Sequence, residues 1–410
     1  MTSSQSKNSK AILLGAYDRF NYGDLLFPLV VRNEFGKHSP ETDTLVHALV
    51  SSDLSRYGAL KTQSIKALYQ PRKLTPGDTV IFAGGGTIGS DWNNMLANLL
   101  GRKGNAALYY LQKLLGNKAV NVLSRHYFGA VSPFPWVAEP NDFPVSVRVA
   151  YNAVGGSEFS RLTPKAQKQT LERLGKASYL SVRDAESQRL LSPIEHRLPV
   201  ELAPDSAILM SEQFPVPWLE SQASTELLNE LNSGPYVCFQ SNLNYAKKNT
   251  DRIVRVLESI YNERGLRALL LPIGRYVGLD DQIALHNIKV KLTSPAKIIS
   301  DDASIFEIML TISRAKLFLG TSLHGNISSQ SFAVPHIGLS DSPCKVDFYL
   351  ETWDLPEQSR CLALQDVPEH VSKVMAIPET TRQAKRQELI ALSHGNFARM
   401  ATACGINWQS

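Results

Sequence analysis

The chain has 410 residues, of which 43% are hydrophobic and 20% are charged, and its formal net charge at pH 7 is +5. This length predicts about two or three domains with substantial cores, and the composition is that of an ordinary globular protein. The mild positive charge suits an anionic small substrate or an anionic membrane surface, but it is too weak to indicate a nucleic-acid partner.

Short apolar strands alternate with helical periods along the chain, which predicts an α/β fold with parallel sheets. In the first half, the predicted strands are residues 11–15, 79–83, 147–154 and 179–182, and the predicted helices are residues 25–35, 106–115 and 164–174. Pro215 and Pro217 interrupt this rhythm, and we place a domain boundary there. Beyond it, the predicted strands are residues 236–240, 268–271, 317–320 and 336–339, and the predicted helices are residues 251–264, 304–314 and 379–403.

These two series predict two Rossmann-like domains that face a cleft, residues 1–213 and residues 214–378. The remaining segment, residues 379–410, is a predicted C-terminal helix that can cross back onto the first domain. Ligands of open α/β sheets bind beyond the carboxyl ends of the strands, so the residues directly after each strand are the candidates for function.

The first candidate is the turn Asn21-Tyr22-Gly23-Asp24, which follows the first strand and precedes an apolar helix. We expect Asp24 to cap that helix with its carboxylate, and Gly23 to allow a close approach of the backbone. A capped turn without any function has the same pattern, so this motif indicates a functional site only in combination with other motifs.

The second candidate is the glycine turn Gly84-Gly85-Gly86, which follows the strand at residues 79–83 and continues as Thr87-Ile88-Gly89. It formally fits the G-x-G-x-x-G pattern of dinucleotide sites. Such a site also needs an acidic residue about 20 residues further on, but no acidic residue lies between Asp91 and Glu139. We therefore expect a glycine turn that feeds a helix N-terminus, whose amides suit an anion or a sugar hydroxyl.

The interval from residue 92 to residue 138 contains no acidic residue. It carries the basic residues Arg102, Lys103, Lys113, Lys118 and Arg125 and the aromatic residues Tyr109, Tyr110, Tyr127, Phe128 and Trp136. This combination suits a surface for anionic lipid headgroups or for a diphosphate. A solvated helix face with aromatic residues in the core is the alternative interpretation.

The third candidate is Ser181-Val182-Arg183-Asp184, at the end of a predicted strand. Arg183 offers a planar fork for a carboxylate or a phosphate. A structural pair between Arg183 and Asp184 is the alternative.

The fourth candidate is the segment Thr321-Ser322-Leu323-His324-Gly325-Asn326, which follows the strand at residues 317–320. We expect His324 in the first turn of the next helix, beside the positive end of the helix dipole. An imidazole at this place, among hydroxyl and amide side chains, is suited to bind an anion or to transfer a proton.

In order and spacing, these motifs resemble the polysaccharide pyruvyl transferase family. The matching pieces are the N-x-G-D turn, the strand with three glycines, the S-V-R-D-x-x-S segment, Pro204-Asp205 and the G-T-S-L-H-G block, with Pro335 and Lys345 after it. The resemblance covers about residues 11–348.

One residue departs from the pattern, because Ser322 stands where many members carry an arginine before the Leu-His pair. We expect Lys345 or Arg275 to supply the missing charge.

The resemblance implies a GT-B-like fold, with the acceptor on the first domain and the donor on the second. It implies phosphoenolpyruvate as the donor and a hydroxyl pair of a polysaccharide or its lipid-linked precursor as the acceptor, which gives a pyruvate ketal and phosphate. The expected catalytic residues are His324, Arg183 and Asp24. The expected substrate-binding residues are Asn21, Gly84, Gly85, Gly86, Thr321, Ser322, Asn326, Arg275 and Lys345.

Two other functions stay open. A GT-B glycosyltransferase that uses a nucleotide sugar would often carry an E-x7-E motif, and here the only one is Glu212 with Glu220, in the proline-containing linker. No D-x-D motif is present either, so a metal-dependent sugar transferase is disfavoured. A non-catalytic glycan-binding relative is the third interpretation.

The expected compartment is the cytoplasm, with peripheral contact to the inner face of the membrane left open. No stretch approaches the ~18 apolar residues of a membrane span, and the apolar run at residues 11–16 is shorter than the core of a signal peptide. The cysteines Cys238, Cys344, Cys361 and Cys404 are far apart in sequence and form no C-x-x-C pair. We interpret them as buried or incidental thiols and expect neither a metal site nor a cofactor.

Overall fold

Two sheets form from the short apolar runs of the sequence, as a computed structural model of residues 9–86, 88–276 and 278–409 describes them. The first sheet contains β1 (Lys10–Leu14), β2 (Asp43–Ala48), β3 (Gln63–Ser64), β4 (Thr79–Ala83), β5 (Arg148–Val154), β6 (Tyr179–Val182) and β7 (Glu201–Leu202). The second sheet contains β8 (Tyr236–Gln240), β9 (Arg267–Leu270), β10 (Ala296–Ile298), β11 (Leu317–Gly320) and β12 (His336–Gly338).

Helices cover both sheets. They are α1 (Tyr22–His38), α2 (Trp92–Leu99), α3 (Arg102–Leu115), α4 (Asn117–Tyr127), α5 (Pro164–Leu174), α6 (Ala185–Leu191), α7 (Met210–Gln213), α8 (Val216–Gln222), α9 (Thr225–Asn232), α10 (Leu243–Arg264), α11 (Asp281–Lys291), α12 (Ile305–Ser313), α13 (Leu323–Ser331), α14 (Lys345–Trp353), α15 (Val367–Met375) and α16 (Glu379–Ala403). None of these helices combines the length and the apolar character that crossing a membrane requires.

Both sheets have the doubly wound topology. Their strand orders are β3-β2-β1-β4-β5-β6-β7 and β10-β9-β8-β11-β12, and neighbouring strands are parallel. The order reverses between β1 and β4 in the first sheet, and between β8 and β11 in the second. Because chains leave parallel strands at these reversal points in opposite directions, a crevice opens there at the carboxyl ends. The predicted α/β class with two Rossmann-like units is confirmed, whereas the exact limits 1–213 and 214–378 stay predictions.

Local signals fix where the main helices begin and end. Asn242 caps α10 by accepting a hydrogen bond from the backbone N–H of Tyr245, and Gly265 ends that helix in the left-handed region with φ +66°. Ser304 and Glu307 form a reciprocal capping box at the start of α12. Such caps satisfy the backbone groups that a helix end leaves unpaired.

The C-terminal helix α16 returns to the first sheet. The hydroxyl of Tyr179 in β6 donates to Asn396 Oδ1 at 2.8 Å, and the amide of Asn396 contacts Asn152 in β5 at 2.5 Å. Beyond the helix, the backbone N–H of Gln409 donates to the carbonyl of His38 at 2.7 Å. The C-terminal helix therefore contacts the first sheet at β5 and β6.

Candidate active site

A cavity of about 150 Å³ lies where the carboxyl ends of the two sheets meet. The segments after β1, β4 and β6 line it from the first sheet, and those after β8, β9, β11 and β12 line it from the second. Nine of the residues proposed from the sequence line this cavity, namely Asn21, Asp24, Gly85, Gly86, Arg183, Thr321, Ser322, His324 and Lys345. The topology brings them together because both reversal points face the same crevice.

Arg183 is buried at the end of β6 and pairs with a different acid from the one next to it in sequence. Its Nη1 donates to Asp205 Oδ2 at 3.1 Å, while Asp184 caps α6 by accepting from the backbone N–H of Ser187. The alternative pair of Arg183 with Asp184 is therefore wrong. The Nε of Arg183 makes no hydrogen bond to any residue that the structure describes.

Two neighbours define the surroundings of Arg183. A Cβ at Gly155 would lie 2.7 Å from Nη2, so this glycine makes room for the guanidinium. The indole N–H of Trp353 donates to the Arg183 carbonyl at 2.7 Å. Because Trp353 belongs to α14, which follows the second sheet, this helix helps to position the backbone of Arg183.

His324 lies in the first turn of α13, as predicted. Ser322 caps this helix by accepting from the backbone N–H of Gly325 at 3.2 Å. The ring packs on the start of α1, because a Cβ at Gly23 would lie only 1.8 Å from His324 Nδ1. Phe27 meets the imidazole edge to face, with ring centroids 5.2 Å apart.

Asp205 connects His324 with Arg183. Its Oδ2 lies 3.7 Å from His324 Nε2, a distance that makes this contact electrostatic rather than a hydrogen bond. Burial alone would raise the pKa of Asp205, but His324 and Arg183 outweigh it and lower that pKa. The carboxylate therefore stays ionised at neutral pH and balances the positive charge of Arg183.

Asn21, rather than Asp24, occupies the N-cap position of α1. The backbone of Asn21 is already extended, with φ −128° and ψ 111°, so the helix begins at Tyr22. Asp24 falls in the first turn, where its Oδ2 accepts from Asn21 Nδ2 at 2.7 Å. The predicted capping role of Asp24 is wrong, and its carboxylate faces the cavity instead.

Lys345 begins α14, where its side chain is exposed to solvent and lines the cavity. Desolvation and the nearby Arg183 guanidinium lower the pKa of Lys345, while the Asp24 carboxylate opposes this shift. The cavity therefore holds a lysine and an arginine within electrostatic reach of one another, a setting that attracts an anion.

The glycine turn lines the cavity but does not feed a helix directly. Gly84 and Gly85 have φ +64° and +77°, the left-handed region that favours glycine. The next helix, α2, begins only at Trp92, because Asp91 caps it by accepting from the backbone N–H of Asn94. The expectation of a helix N-terminus at the turn is wrong, and Thr87 of this motif lies outside the described residues.

Three of the proposed binding residues do not line the cavity. Gly84 is buried behind it, where a Cβ would collide with Phe27 at 2.1 Å. Asn326 is buried and donates to the Ser322 carbonyl at 2.8 Å. The Arg275 guanidinium lies 3.9 Å from the ring centre of Phe20 and donates to a backbone carbonyl. Of the two residues expected to replace the missing arginine, Lys345 is therefore the one at the cavity.

Sequence reasoning missed a polar group on the second sheet. Asp281 Oδ2 accepts from Gln240 Nε2 at 2.8 Å and from the backbone N–H of Gly274 at 2.9 Å. Burial raises the pKa of Asp281 to about 6, although these hydrogen bonds oppose the shift. Gln240 and Asn242 also line the cavity, and both contact Thr321. Their places at the end of β8 and just beyond it are the signal that would have found them.

Two of the four cysteines lie side by side in space, next to Lys345. A hydrogen bond with Cys361 lowers the pKa of Cys344 to about 6, and the same contact raises the pKa of Cys361. The carboxylate of Asp347 accepts from the backbone N–H groups of both cysteines. Their distance in sequence therefore did not indicate their environment.

Comparison with known proteins places this geometry in context. A family model described as polysaccharide pyruvyl transferase matches residues 21–343. No curated protein matches the chain at a significant level.

Solved structures support the fold. UDP-N-acetylglucosamine 2-epimerase from Rickettsia bellii has a TM-score of 0.56 at 11% identity, over 97% of this chain and 96% of the other. The epimerase from Neisseria meningitidis, bound to UDP-GlcNAc, has a TM-score of 0.53 at 10% identity, over 96% and 99%. The N-terminal domain of trehalose-6-phosphate phosphatase from Candida albicans has a TM-score of 0.51 at 11% identity, over 98% of each chain. Together with the two doubly wound sheets, these likenesses show a GT-B-like fold.

Proposed function

The chain belongs to the polysaccharide pyruvyl transferase family, and from this premise we propose that it transfers the pyruvyl group of phosphoenolpyruvate to a pair of sugar hydroxyls. The observation that carries the proposal is the cavity between the sheets, where Arg183, Lys345 and His324 surround one small volume. A donor with both a carboxylate and a phosphate needs several positive or hydrogen-bonding groups within its own dimensions.

The donor's anionic groups fit the cationic side of the cavity. Asp205 fixes Arg183, whose planar guanidinium lines the cavity and suits contact with a carboxylate or a phosphate. Lys345 supplies a second positive charge, in place of the arginine that many members carry at position 322. The backbone amides at the start of α13 and the hydroxyl of Thr321 complete an anion-binding corner.

The proposed reaction is an addition followed by a displacement. One sugar hydroxyl adds to C2 of phosphoenolpyruvate, its proton goes to a base, and C3 receives a proton to become a methyl group. The second hydroxyl then displaces phosphate from C2 and gives its proton to the departing phosphate, which closes the ketal and releases inorganic phosphate. We assign His324 as the acid that donates the proton to C3 and Asp24 as the base that accepts the hydroxyl proton. Both side chains line the cavity, one from the helix after β11 and the other from the helix after β1.

The experiment that tests this function combines the purified protein with phosphoenolpyruvate and a panel of soluble and lipid-linked glycans. Release of phosphate that depends on the glycan, together with a new ketal methyl signal in the NMR spectrum, is the expected result. Turnover with a nucleotide sugar and no phosphoenolpyruvate would indicate a glycosyltransferase instead. Binding of a glycan without any phosphate release would indicate a non-catalytic relative.

The E-x7-E motif gives little support to the glycosyltransferase alternative, because both of its glutamates form ion pairs elsewhere. Glu212 pairs with Lys37 and His394, and Glu220 pairs with Arg314. Neither glutamate lines the cavity.

We also propose that the protein acts at the inner face of a membrane, on a lipid-linked acceptor. The helices α3 and α4 follow β4, which ends at the cavity, and they expose an unusual set of apolar side chains. This basic apolar face consists of Tyr109, Tyr110, Leu111, Leu114, Leu115, Val122, Leu123 and Tyr127, all more than a third exposed, with the exposed cations Lys103, Lys113 and Lys118. Leu114 is 80% exposed and Tyr110 is 69% exposed, values that are unusual for a face designed only for water.

The charge pattern of the face favours an anionic bilayer as the occupant. The sequence from residue 92 to residue 138 contains no acidic side chain, so nothing within it repels phosphate headgroups. Lys113 lies over the ring of Tyr109 and Lys66 over the ring of Tyr127, with distances of 4.7 and 5.2 Å to the ring centres. Aromatic rings beside lysines are typical of residues that anchor at a membrane interface.

Sedimentation with lipid vesicles tests this contact. Wild-type protein should bind vesicles rich in phosphatidylglycerol, and should bind pure phosphatidylcholine much less. A Tyr110→Ser/Leu114→Ser variant should lose most of this binding, whereas Val290→Ser, which changes a 73%-exposed side chain on α11, should keep it. Equal binding by both variants, or none by the wild type, would refute the proposed surface.

A further inference from the structure

A cluster of metal-ligating side chains lies outside the cavity, where α16 crosses the end of α1. It consists of Glu34, His38 and His394, and one ligand atom from each lies within 4.8 Å of the others. Glu34 Oε2 is 2.9 Å from His394 Nδ1 and 3.9 Å from His38 Nε2. We propose that this cluster binds a zinc ion or a closely similar divalent transition-metal ion.

The distances suit such an ion after small side-chain movements. Zinc binds nitrogen and carboxylate oxygen at about 2.0–2.2 Å in a tetrahedral arrangement, which puts neighbouring ligand atoms roughly 3.3 Å apart. The two measured distances lie on either side of this value, each within an ångström of it. Glu34 and His38 are four residues apart on α1 and therefore share one face of the helix.

The outer hydrogen bonds are those of a metal site. The other ring nitrogen of His38, Nδ1, lies 2.7 Å from the carbonyl of Gln409. Since a carbonyl only accepts, Nδ1 carries the proton, which leaves the lone pair of Nε2 directed at the cluster. The other ring nitrogen of His394, Nε2, lies 3.1 Å from Glu212 Oε2. Metal-ligating histidines usually donate in this way to a carbonyl or a carboxylate, which fixes the ring orientation.

The glutamate is held in the same manner. Glu34 Oε1 accepts from Gln213 Nε2 at 2.9 Å, and this leaves Oε2 for the ion. The side chain of Glu34 is only 2% exposed, while those of His38 and His394 are 17% and 29% exposed. The cluster is therefore closed on the protein side and open to solvent on the other, as a site with three protein ligands and a water requires.

The ligand set selects the kind of ion. Two imidazoles and one carboxylate favour zinc and its neighbours among the transition metals, whereas calcium and magnesium prefer oxygen alone. The competing occupant is a proton, which would make His394 an imidazolium between Glu34 and Glu212. A bound ion would link α1 to α16 directly and, through His38, to the carbonyl of Gln409. Its expected effect is to stabilise the packing of the C-terminal helix on α1. This inference does not depend on the proposed transferase activity.

Calorimetric titration of chelator-treated, metal-free full-length protein with Zn²⁺ tests the proposal. The wild type should bind one ion saturably. His38→Gln and His394→Gln should each weaken binding by more than tenfold, whereas His286→Gln, at an exposed histidine on α11, should leave the Kd unchanged. Glu212→Ala should weaken binding by roughly 10–100-fold, because it removes the hydrogen-bond acceptor that orients His394.

A second control addresses the other group that offers metal ligands, Cys344, Asp347 and Cys361. The double variant Cys344→Ser/Cys361→Ser should bind Zn²⁺ as the wild type does. Cobalt(II) substituted for zinc should show visible bands of nitrogen and oxygen ligation, a readout that needs no variant to fold. Thiolate charge-transfer bands, unchanged affinity in both histidine variants, or no saturable binding by the wild type would overturn the proposal.

Discussion

Gly23 packs against His324 in the candidate active site, so a substitution at Gly23 can displace the imidazole while His324 itself is unchanged. In Gly23→Ala, the new Cβ would lie 1.8 Å from His324 Nδ1 and 2.2 Å from its Cγ. Carbon atoms in contact are about 3.5–4.0 Å apart, so the ring must retreat by roughly 1.5–2 Å. A ring that retreats gives up its present placement beside Asp205 and Phe27.

The expected loss of activity is large and the expected loss of stability is small. A misplacement of about 1 Å in a catalytic group can cost roughly 10²-fold, so Gly23→Ala should lower turnover at least about 100-fold. Overpacking costs about 1–3 kcal/mol, but alanine in place of glycine within a helix returns up to about 1 kcal/mol. The net loss of stability should therefore stay near 2 kcal/mol or below.

The assay is glycan-dependent phosphate release from phosphoenolpyruvate, with the thermal midpoint measured in parallel to separate misplacement from unfolding. Gly36→Ala is the matched control in the same helix, since no described atom lies within 4 Å of its would-be Cβ. That change should leave turnover intact and stabilise the protein by roughly 0.5–1 kcal/mol. If Gly23→Ala is folded and keeps turnover within a few-fold of the wild type, the placement of His324 does not matter and our reasoning fails.

Three further outcomes are expected. Arg183→Lys should bind the donor much more weakly than the wild type, because lysine lacks the planar fork that Asp205 holds. The control Arg189→Lys, on the exposed face of α6, should bind the donor normally. Near-normal donor affinity in Arg183→Lys would make Arg183 purely structural. His324→Ala should lower turnover by about 10²–10⁴-fold, and His324→Asn should separate the roles, since retained turnover there would mean that His324 only binds. Burial raises the pKa of Asp281 to about 6, so as the pH falls through this value the carboxylate gains a proton and loses the charge that holds Gln240, and turnover should fall. In Asp281→Asn this acid limb of the pH profile should disappear. An unchanged profile would exclude Asp281 as its cause.

The same pKa also fixes the sign of one contribution to stability. The folded pKa of Asp281 lies above the ordinary value of an aspartate, so the folded protein binds this proton more tightly than the unfolded chain does. The buried carboxylate therefore lowers the free energy of unfolding by its full amount above pH 6, and this penalty decreases as the pH falls toward about 4. Thermal midpoints of the wild type and Asp281→Asn, measured across this range, should converge at the acid end.

The parts of the fold that the sequence predicted are those that carry a continuous apolar run or a long helical period. The strand Tyr236–Gln240 and the helix Glu379–Ala403 have the predicted bounds because burial on both faces, or along one helix face, dictates their patterns. The strand Asp43–Ala48 escaped prediction, since its exposed first residues and His47 break the apolar run. The strand Ala296–Ile298 has only three residues, which pair because the neighbouring strand is already in place.

The residues of the candidate active site also differ in how far the sequence predicted them. His324 and Arg183 follow strands within recognisable motifs, so chain order alone located them. The partner of Arg183 could not be found this way, because adjacency in sequence pointed to Asp184, and only the folded chain shows Asp205 beside it. Asp281 lies eleven residues beyond the end of β9 and reaches the cavity through a loop whose path no local pattern specifies.

The return of α16 to the first sheet has a consequence for how the protein is made. Phe397 and Met400 of that helix belong to the same apolar core as Phe35 of α1, although the last strand of the first sheet ends at residue 202. A ribosome that adds about 5–20 residues per second needs roughly 10–40 s to reach α16 after that strand has emerged. During this interval the nascent N-terminal half exposes the surface that α16 later covers, and this half is the part of the chain most in need of a chaperone.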